Sequence, residues 1–450
     1  MHTHALTEPV HPSAQLRTER GGLALAAAAT GTAFEWYDFF LYGTAAALVF
    51  PAVFFPAQEP MIGILLSFAT FATGFIARPV GGLLAGSLGD RFGRRPVLTA
   101  TLLMMGLATA CIGVLPGYAQ IGVFAPLALV ALRFVQGLAA GGEWPGAVLI
   151  ALEHSSRHRG LRGGIVAASL YCGLILGNLA FVVVVALLDE QALLAWGWRV
   201  PFLASVVLVA VGLVLRHRVG ESPEFLARDA KEQPRRPLRE SLGAPRNVIA
   251  AVLVRTGQNA CFYTITVFCL GYATAMLGFS AHAALTALLI AAALAAVMCP
   301  VWGALGERLG MARLTAWSLG GLGALAVPLF LVLDSGNAVA IVGVVAVTIG
   351  IVNAAADGVQ PLWFSGLFPP RRRYTGISVG REIAGVIGGG LTPLAATALV
   401  ASTGHWWPVA AIMMLAAALG VVGAAIARPI DEPIAGSGHT ERAKDDRIRA

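Results

Sequence analysis

Gly86-Ser87-Leu88-Gly89-Asp90-Arg91-Phe92-Gly93-Arg94-Arg95 is a short charged turn set between two long apolar runs. A weaker copy, Gly303-Ala304-Leu305-Gly306-Glu307-Arg308-Leu309-Gly310, stands 217 residues further on. Two copies of one loop at matching places in two halves point to a duplicated membrane bundle, an architecture typical of secondary transporters. The glycines allow a tight turn and close approach of helices. Asp90 can accept hydrogen bonds from a helix N-terminus or pair with an arginine across the bundle, and Glu307 preserves the acid in the second copy. Gly86, Asp90, Arg91, Gly93, Arg94 and Glu307 are therefore expected to form a conformational latch on one face of the membrane.

The composition agrees. Of 450 residues, 57% are hydrophobic and 12% charged, where a soluble protein carries about 25% charged residues; the mean hydropathy is +0.76. So little polar chemistry cannot cover a water-facing globule, and the solvent must be lipid. Apolar runs of about 20 residues or more without period-two alternation predict helices rather than a barrel. The five cysteines (Cys111, Cys172, Cys261, Cys269 and Cys299) all fall inside apolar runs at spacings that fit neither zinc nor a disulfide framework. The sequence holds no nucleophile triad, metal spacing or phosphate loop, and Gly388-Gly389-Gly390 sits in an apolar helix rather than after a strand. No enzyme activity, cofactor or metal is expected. The first 20 residues are polar and hold no compact apolar segment, so the first span itself is expected to act as the insertion signal.

Twelve spans are predicted, near 22–50, 61–85, 97–115, 122–150, 163–188, 200–219, 248–277, 282–302, 314–333, 338–362, 375–401 and 406–427. The chain carries 31 Lys and Arg residues. Four of them (Arg78, Arg133, Arg255, Arg381) lie within spans, Arg199 lies in a loop on one side, and the other 26 lie in the segments of the opposite side. The positive-inside rule places that side, with both termini, in the cytoplasm. The net charge of +7 is thus topogenic and implies no nucleic-acid partner. The polar stretch 216–247, with four prolines, reads as a cytoplasmic linker. The expected units are a tail (1–21), a six-helix bundle (22–219), the linker (220–247), a second six-helix bundle (248–427) and a C-terminal tail (428–450).

The loop resembles the signature of the major facilitator superfamily, and other segments resemble its metabolite:proton symporter family, most closely the shikimate-transporter-like branch. These are Phe34-Glu35-Trp36-Tyr37-Asp38-Phe39; Arg133-Phe134-Val135-Gln136-Gly137 with Gly141-Gly142-Glu143-Trp144; Trp196-Gly197-Trp198-Arg199-Val200-Pro201-Phe202; Glu221-Ser222-Pro223-Glu224-Phe225; and Phe368-Pro369 with Arg373-Tyr374-Thr375-Gly376. The resemblance spans about residues 25 to 425. It implies two six-helix bundles around a cavity lined by spans 1, 4, 7 and 10. It also implies proton-driven uptake of a small solute across the plasma membrane by alternating access, in a protein working as a monomer.

A charge at mid-bilayer costs roughly 2.5–3.5 kcal/mol even on insertion scales, so the embedded charges need partners or a wet cavity. Glu35 and Asp38 share a helix face, about 20–24 Å from the cytoplasmic start of the first span. Paired carboxylates of this kind suit proton coupling, with Asp38 the first choice and Glu35 the second. Arg133, with Gln136 and Gly137 on its face, can pair with a carboxylate or clamp an anion. From proton-coupled relatives elsewhere in the superfamily, the resemblance implies an Asp38–Arg133 pair that breaks on protonation. Gly137, Gly141 and Gly142 read as a packing surface. Arg255, Gln258, Asn259 and Tyr263 make a polar stripe on span 7; Asn353, Asp357 and Gln360 make one on span 10; Tyr171 adds to these from span 5. These residues, with Arg133 and Gln136, are expected to line the substrate site, although interhelical bonding would give the same stripes. Arg381-Glu382 on span 11 departs from the family pattern and points to an altered substrate preference. Arg78 is expected near the cytoplasmic end of span 2, snorkelling or joining the latch.

Three embedded arginines along the implied pathway favour a carboxylate substrate of shikimate or dicarboxylate type. A zwitterionic osmolyte such as proline or betaine, a drug/proton antiporter and a uniporter are the alternatives on the same fold.

Overall fold

In the computed structural model, residues 12–92, 94–153, 158–218, 245–369 and 373–430 are described, and every regular element among them is helical. The N-terminal half holds α1 (Pro12–Leu48), α2 (Pro60–Phe92), α3 (Arg94–Val114), α4 (Phe124–Ala140), α5 (Glu143–Glu153), α6 (Arg159–Leu187) and α7 (Arg199–Arg218). The C-terminal half holds α8 (Pro245–Tyr263), α9 (Cys269–Ala275), α10 (Ala281–Leu309), α11 (Met311–Asp334), α12 (Ala338–Val345), α13 (Ala354–Gly366), α14 (Arg373–Ala384), α15 (Thr392–Thr403) and α16 (Trp407–Ile426). Among the described residues, nine helical runs are long and apolar enough to cross a membrane, and a tenth follows if Glu190–Gly197 and Arg199–Val214, bent by 45°, are one span. The helices bearing Glu35 with Asp38 and Arg255 with Gln258 are not among these nine.

Several expected spans are not uniform α-helix. The expected span 122–150 breaks between α4 and α5 at Gly141-Gly142. Wider π turns at Thr264–Phe268, Ala346–Asn353 and Gly385–Leu391 join α8 to α9, α12 to α13 and α14 to α15. A π turn adds a residue to the turn and re-aims the side chains beyond it, and such turns concentrate at functional sites. Here all three flank the charged residues of the C-terminal half.

The two motif loops are shorter than expected. α10 runs to Leu309 and α11 begins at Met311, so the second copy closes on Gly310 alone, whose φ of 92° lies where a side chain would be strained. In the first copy α2 runs to Phe92 and α3 begins at Arg94. Gly93, the surroundings of Gly86 and the side chains of Asp90, Arg91 and Arg94 lie outside the described residues, as do residues 1–11 and 431–450 of the expected tails and most of the expected linker, while α1 begins at Pro12, inside the expected N-terminal tail.

Small residues set the closest packing. A Cβ on Gly137 would strike the Gly74 carbonyl, and one on Gly82 would sit 2.9 Å from the Gly141 carbonyl, so α2 and α4 meet backbone to backbone. Across the halves, a Cβ on Gly160 would strike the Gly303 carbonyl, and one on Gly164 would lie 2.5 Å from the Cys299 carbonyl, joining α6 to α10. At this end the Gly160 N–H donates to Glu307 Oε1 at 2.6 Å, and the Tyr374 hydroxyl donates to the Gly142 carbonyl at 2.7 Å. Beyond the centre, Gly271 packs beside Ala47, Ile64 and Phe68. The halves therefore touch on both sides of the middle of the molecule.

Candidate functional site

Between those contacts lies a cavity of about 10 Å³, room for roughly one water. The N-terminal half contributes Trp36, Phe75 and Arg78; the C-terminal half contributes Arg255, Asn259, Tyr263, Arg381, Glu382 and Gly385. Of the expected substrate residues, Arg255, Asn259, Tyr263, Arg381 and Glu382 therefore meet here.

Arg78 is the residue whose place differs most from expectation. It is 2% exposed and buried between the two halves instead of snorkelling or joining the latch. The apolar run of α2 ends at Ala85 as expected, and the reason for the difference is that the side chain turns inward to two carboxylates. Its Nη2 donates to Glu35 Oε1 at 2.7 Å and its Nε to Glu382 Oε2 at 2.7 Å. One guanidinium thus bridges two carboxylates, one from each half, over the face of Phe39 at 4.9 Å. Arg381 lies on the ring of Trp144 at 3.7 Å, with its Nε 3.9 Å from Glu382 Oε1. Glu35 Oε2, Glu382 Oε1, Arg78 Nη1 and the Tyr263 hydroxyl have no hydrogen-bond partner among the described residues. Burying such groups unpaired is costly, and they cluster around the cavity.

The two polar stripes face each other. Arg255 Nη1 donates to Asp357 Oδ1 and Gln258 Oε1, both at 2.8 Å, and to Gln360 Oε1 at 3.0 Å. Gln360 also donates to Gln258. The Tyr171 hydroxyl reaches from α6 in the other half to donate to Asp357 Oδ2 at 2.7 Å, while Asn353 Nδ2 donates to Tyr171 at 2.7 Å and to Asp357 Oδ2 at 3.0 Å. The stripes are interhelically bonded in this conformation, yet Gln258 Nε2, Asn353 Oδ1 and Arg255 Nε still lack partners among the described residues. Asn178 bonds Thr44 and stands apart from this network.

Arg133 and Asp38 form a separate site inside the N-terminal half. The expected ion pair between them is not made. Arg133 is fully buried, its guanidinium stacked against Phe39, Tyr42 and Phe71 at 4.1, 4.3 and 4.8 Å. Gly74 leaves the space for it, since a Cβ there would lie 2.5 Å from Arg133 Nε. Arg133 donates to Gln136 at 3.2 Å and Gln136 donates to Thr109 at 2.7 Å. Asp38 stands beside Thr109, within electrostatic reach of Arg133 but not in contact with it. Aromatic faces stabilise a desolvated cation by about 2 kcal/mol or more, which explains how Arg133 is tolerated without a carboxylate. Gln136 serves this cluster and does not line the central cavity.

The sequence reasoning missed Arg78 as a bridge, the stacking partners of both arginines, and Thr109. Trp36 and Trp144 lie in the very segments that carry the resemblance, so their motif membership was a usable signal. Among the described residues, no group of three or more His, Cys, Asp or Glu side chains could hold a metal ion.

The sequence model of the Major Facilitator Superfamily matches residues 28–393. The chain is 37% identical over 400 residues to the shikimate transporter of Escherichia coli (strain K12), an alignment covering 86% of this chain and 90% of that protein. It is 32% identical to the glycine betaine/proline/ectoine/pipecolic acid transporter OusA of Dickeya dadantii (strain 3937), covering 92% of this chain and 85% of that one. The crystal structure of D-xylose-proton symporter superposes with a TM-score of 0.71 over 88% of this chain and 96% of that one, at 18% identity, a likeness of fold alone.

Proposed function

Because the chain belongs to the major facilitator superfamily, and so is a multi-pass inner-membrane transporter rather than an enzyme, we propose that it imports a small organic carboxylate together with protons by alternating access. The observation that carries this reading is the central cavity, where Arg78, Arg255 and Arg381 converge from both halves beside a single lining carboxylate, Glu382. Guanidinium groups with unused N–H bonds suit a carboxylate better than a sugar. Asn259, Tyr263 and the stripe formed by Gln258, Asn353, Asp357, Gln360 and Tyr171 supply hydrogen bonds for hydroxyl groups of the same solute.

In this reading the chain has twelve spans with both termini in the cytoplasm. The polar α1 and α8 supply the two beyond those recognised by length and apolarity, and the bent pair at 190–214 counts as one. Two six-helix bundles (22–219 and 248–427) rock about the central cavity as a monomer. Asp38 carries the coupling proton, with Glu35 the second candidate. Arg133 in its aromatic box senses the charge on Asp38 through space, with Thr109 and Gln136 between them. Glu307, bonded to the N-terminus of α6, acts as the latch of the second motif copy, and Gly86, Asp90, Arg91, Gly93 and Arg94 as that of the first.

A second reading, a zwitterionic osmolyte, is supported by Trp36, Phe75 and Tyr263 at the cavity, since aromatic faces and a carboxylate together suit a quaternary ammonium. Uptake into proteoliposomes of radiolabelled shikimate, 2-oxoglutarate, citrate and betaine, with and without an inward proton gradient, separates the two. Gradient-stimulated accumulation of one acid supports the carboxylate reading. Accumulation of betaine alone replaces it with the zwitterion reading, and gradient-indifferent uptake makes the protein a uniporter.

A further inference from the structure

The carboxylate of Glu382 occupies the centre of the arginine cluster, where the proposed substrate anion would have to bind. We infer that Glu382 is a resident carboxylate that holds the anion site of the empty transporter, and that a substrate carboxylate displaces it from Arg78 and Arg381. The inference deepens the carboxylate-symport reading and rests on it for the substrate's class, but not for the existence of the anion site.

Three observations carry it. Glu382 is bound from two sides, by Arg78 Nε at 2.7 Å and by Arg381 Nε at 3.9 Å. It uses only half of its capacity, because Oε1 accepts no hydrogen bond among the described residues, while Arg78 Nη1 likewise has an unused N–H. All of these groups are nearly inaccessible yet border the cavity. This is how a bound carboxylate would be held, with the carboxylate supplied by the protein. The π turn at Gly385–Leu391 begins three residues beyond Glu382 and gives the segment a local means of swinging the side chain away.

Displacement has a charge consequence. The groups that face Glu382 are Arg78 on α2, Glu35 on α1 and Arg381 beside it on α14. Arg255 and Tyr263 on α8 border the same cavity, Arg255 being neutralised by Asp357 of α13. Glu35, Glu382, Arg78 and Arg381 sum to zero when all are ionised. An added substrate carboxylate makes the buried cluster negative, and one proton taken from the aqueous phase by the displaced Glu382 restores neutrality. Glu382 thus becomes a proton site linked to substrate binding, distinct from Asp38.

The test needs no knowledge of the natural substrate. Glu382→Ala removes the resident carboxylate and leaves an anion site sized for a small acid. Thermal unfolding of the purified variant in detergent is followed against sodium acetate, with sodium chloride at equal ionic strength as control. The inference expects acetate to raise the Tm of Glu382→Ala saturably, beyond chloride. It expects no acetate-specific rise for the wild type, whose site is filled, or for Glu382→Ala with Arg381→Gln. A monodisperse Glu382→Ala that responds equally to acetate and chloride overturns it. If that variant does not fold, Glu382→Gln keeps the volume and the hydrogen bond and is read by proteoliposome uptake of shikimate and 2-oxoglutarate between pH 6 and pH 8. Wild-type uptake should fall with rising pH, by up to tenfold per unit for one linked proton. Glu382→Gln should lower that slope by the share of its one linked proton while leaving the share of Asp38, and an unchanged slope overturns the inference. Where Glu382→Ala folds, a wild type that takes up neither acid counts against the substrate reading alone, and the acetate response decides the anion site.

Discussion

Replacing Arg78 with glutamine is the most informative single perturbation of the fold. The guanidinium makes two charge-assisted hydrogen bonds of 2.7 Å, to Glu35 and to Glu382, with side chains at most 4% exposed. Hydrogen bonds to charged groups contribute about 1.5–3 kcal/mol each, so the two together are worth about 3–6 kcal/mol. The independent estimate for breaking a buried pair by removing one partner is about 3–5 kcal/mol, because the remaining charge stays desolvated. The cation–π contact with Phe39 at 4.9 Å, desolvated like the ion pairs, adds about 2 kcal/mol. The expected loss is therefore about 6 kcal/mol, read from SDS-driven unfolding of the purified protein in mixed micelles. The triple variant Glu35→Gln, Arg78→Gln, Glu382→Gln leaves neutral amides where two carboxylates would otherwise face each other. It should recover at least half of that loss. A loss under about 1 kcal/mol for Arg78→Gln, or no recovery in the triple variant, would show that the bridge is not what satisfies these carboxylates.

Asp38→Asn should abolish gradient-stimulated accumulation while leaving substrate exchange at equal pH on both sides; retained accumulation would remove Asp38 from coupling. Tyr171→Phe leaves Asn353 and Asp357 short of one buried partner and should cost about 1–3 kcal/mol in the same unfolding assay. Gly164→Val should force α6 from the Cys299 carbonyl, which a Cβ already approaches to 2.5 Å, and should raise maleimide labelling of the buried Cys299 several-fold over wild type. Glu307→Gln replaces the charge-assisted bond to the Gly160 N–H and should shift the transporter away from closure at that end, measured as faster maleimide labelling of the native buried Cys299, one turn from Gly303.

The all-helical class, nine of the apolar spans among the described residues and most of the cavity residues were legible because each has a local signature. Apolar length marks a span, and polar residues at i, i+3 and i+4 mark a face. Gln258 stands three residues after Arg255 and Gln360 three after Asp357, so both faces could be read. That they face each other could not, since nothing in either segment encodes the angle at which the helices meet. Arg78 was misplaced for a related reason. Its partner Glu382 is 304 residues away, and an arginine seven residues from the end of an apolar run reads as snorkelling until its buried partners are known. Arg133 without a carboxylate contradicts the simplest expectation for a buried cation, yet Phe39 and Tyr42 stand at i, i+3 on α1, the spacing that builds a single aromatic wall.

The distribution of these contacts between the halves bears on how the protein could move. Arg255 pairs with Asp357 inside the C-terminal half, and Arg133 is boxed inside the N-terminal half, so rigid-body rocking leaves both intact. Arg78–Glu382, Tyr171–Asp357 and Glu307–Gly160 cross between the halves. In a rocking cycle, those lying on the side that opens must break. Breaking a buried ion pair without replacement costs about 3–5 kcal/mol, enough to slow opening by roughly a thousandfold at 1.4 kcal/mol per tenfold. Water entering the opened cavity, a proton or a substrate anion can each offset that cost at the central pair. The contact near the motif loops has a backbone N–H as its donor and needs only water to replace it. At the far side, where Gly271 packs beside Ala47, Ile64 and Phe68, separation exposes apolar surface and has no charge to compensate. The polar end and the apolar end are thus held shut by different physics. Only the middle is positioned to make opening depend on what is bound.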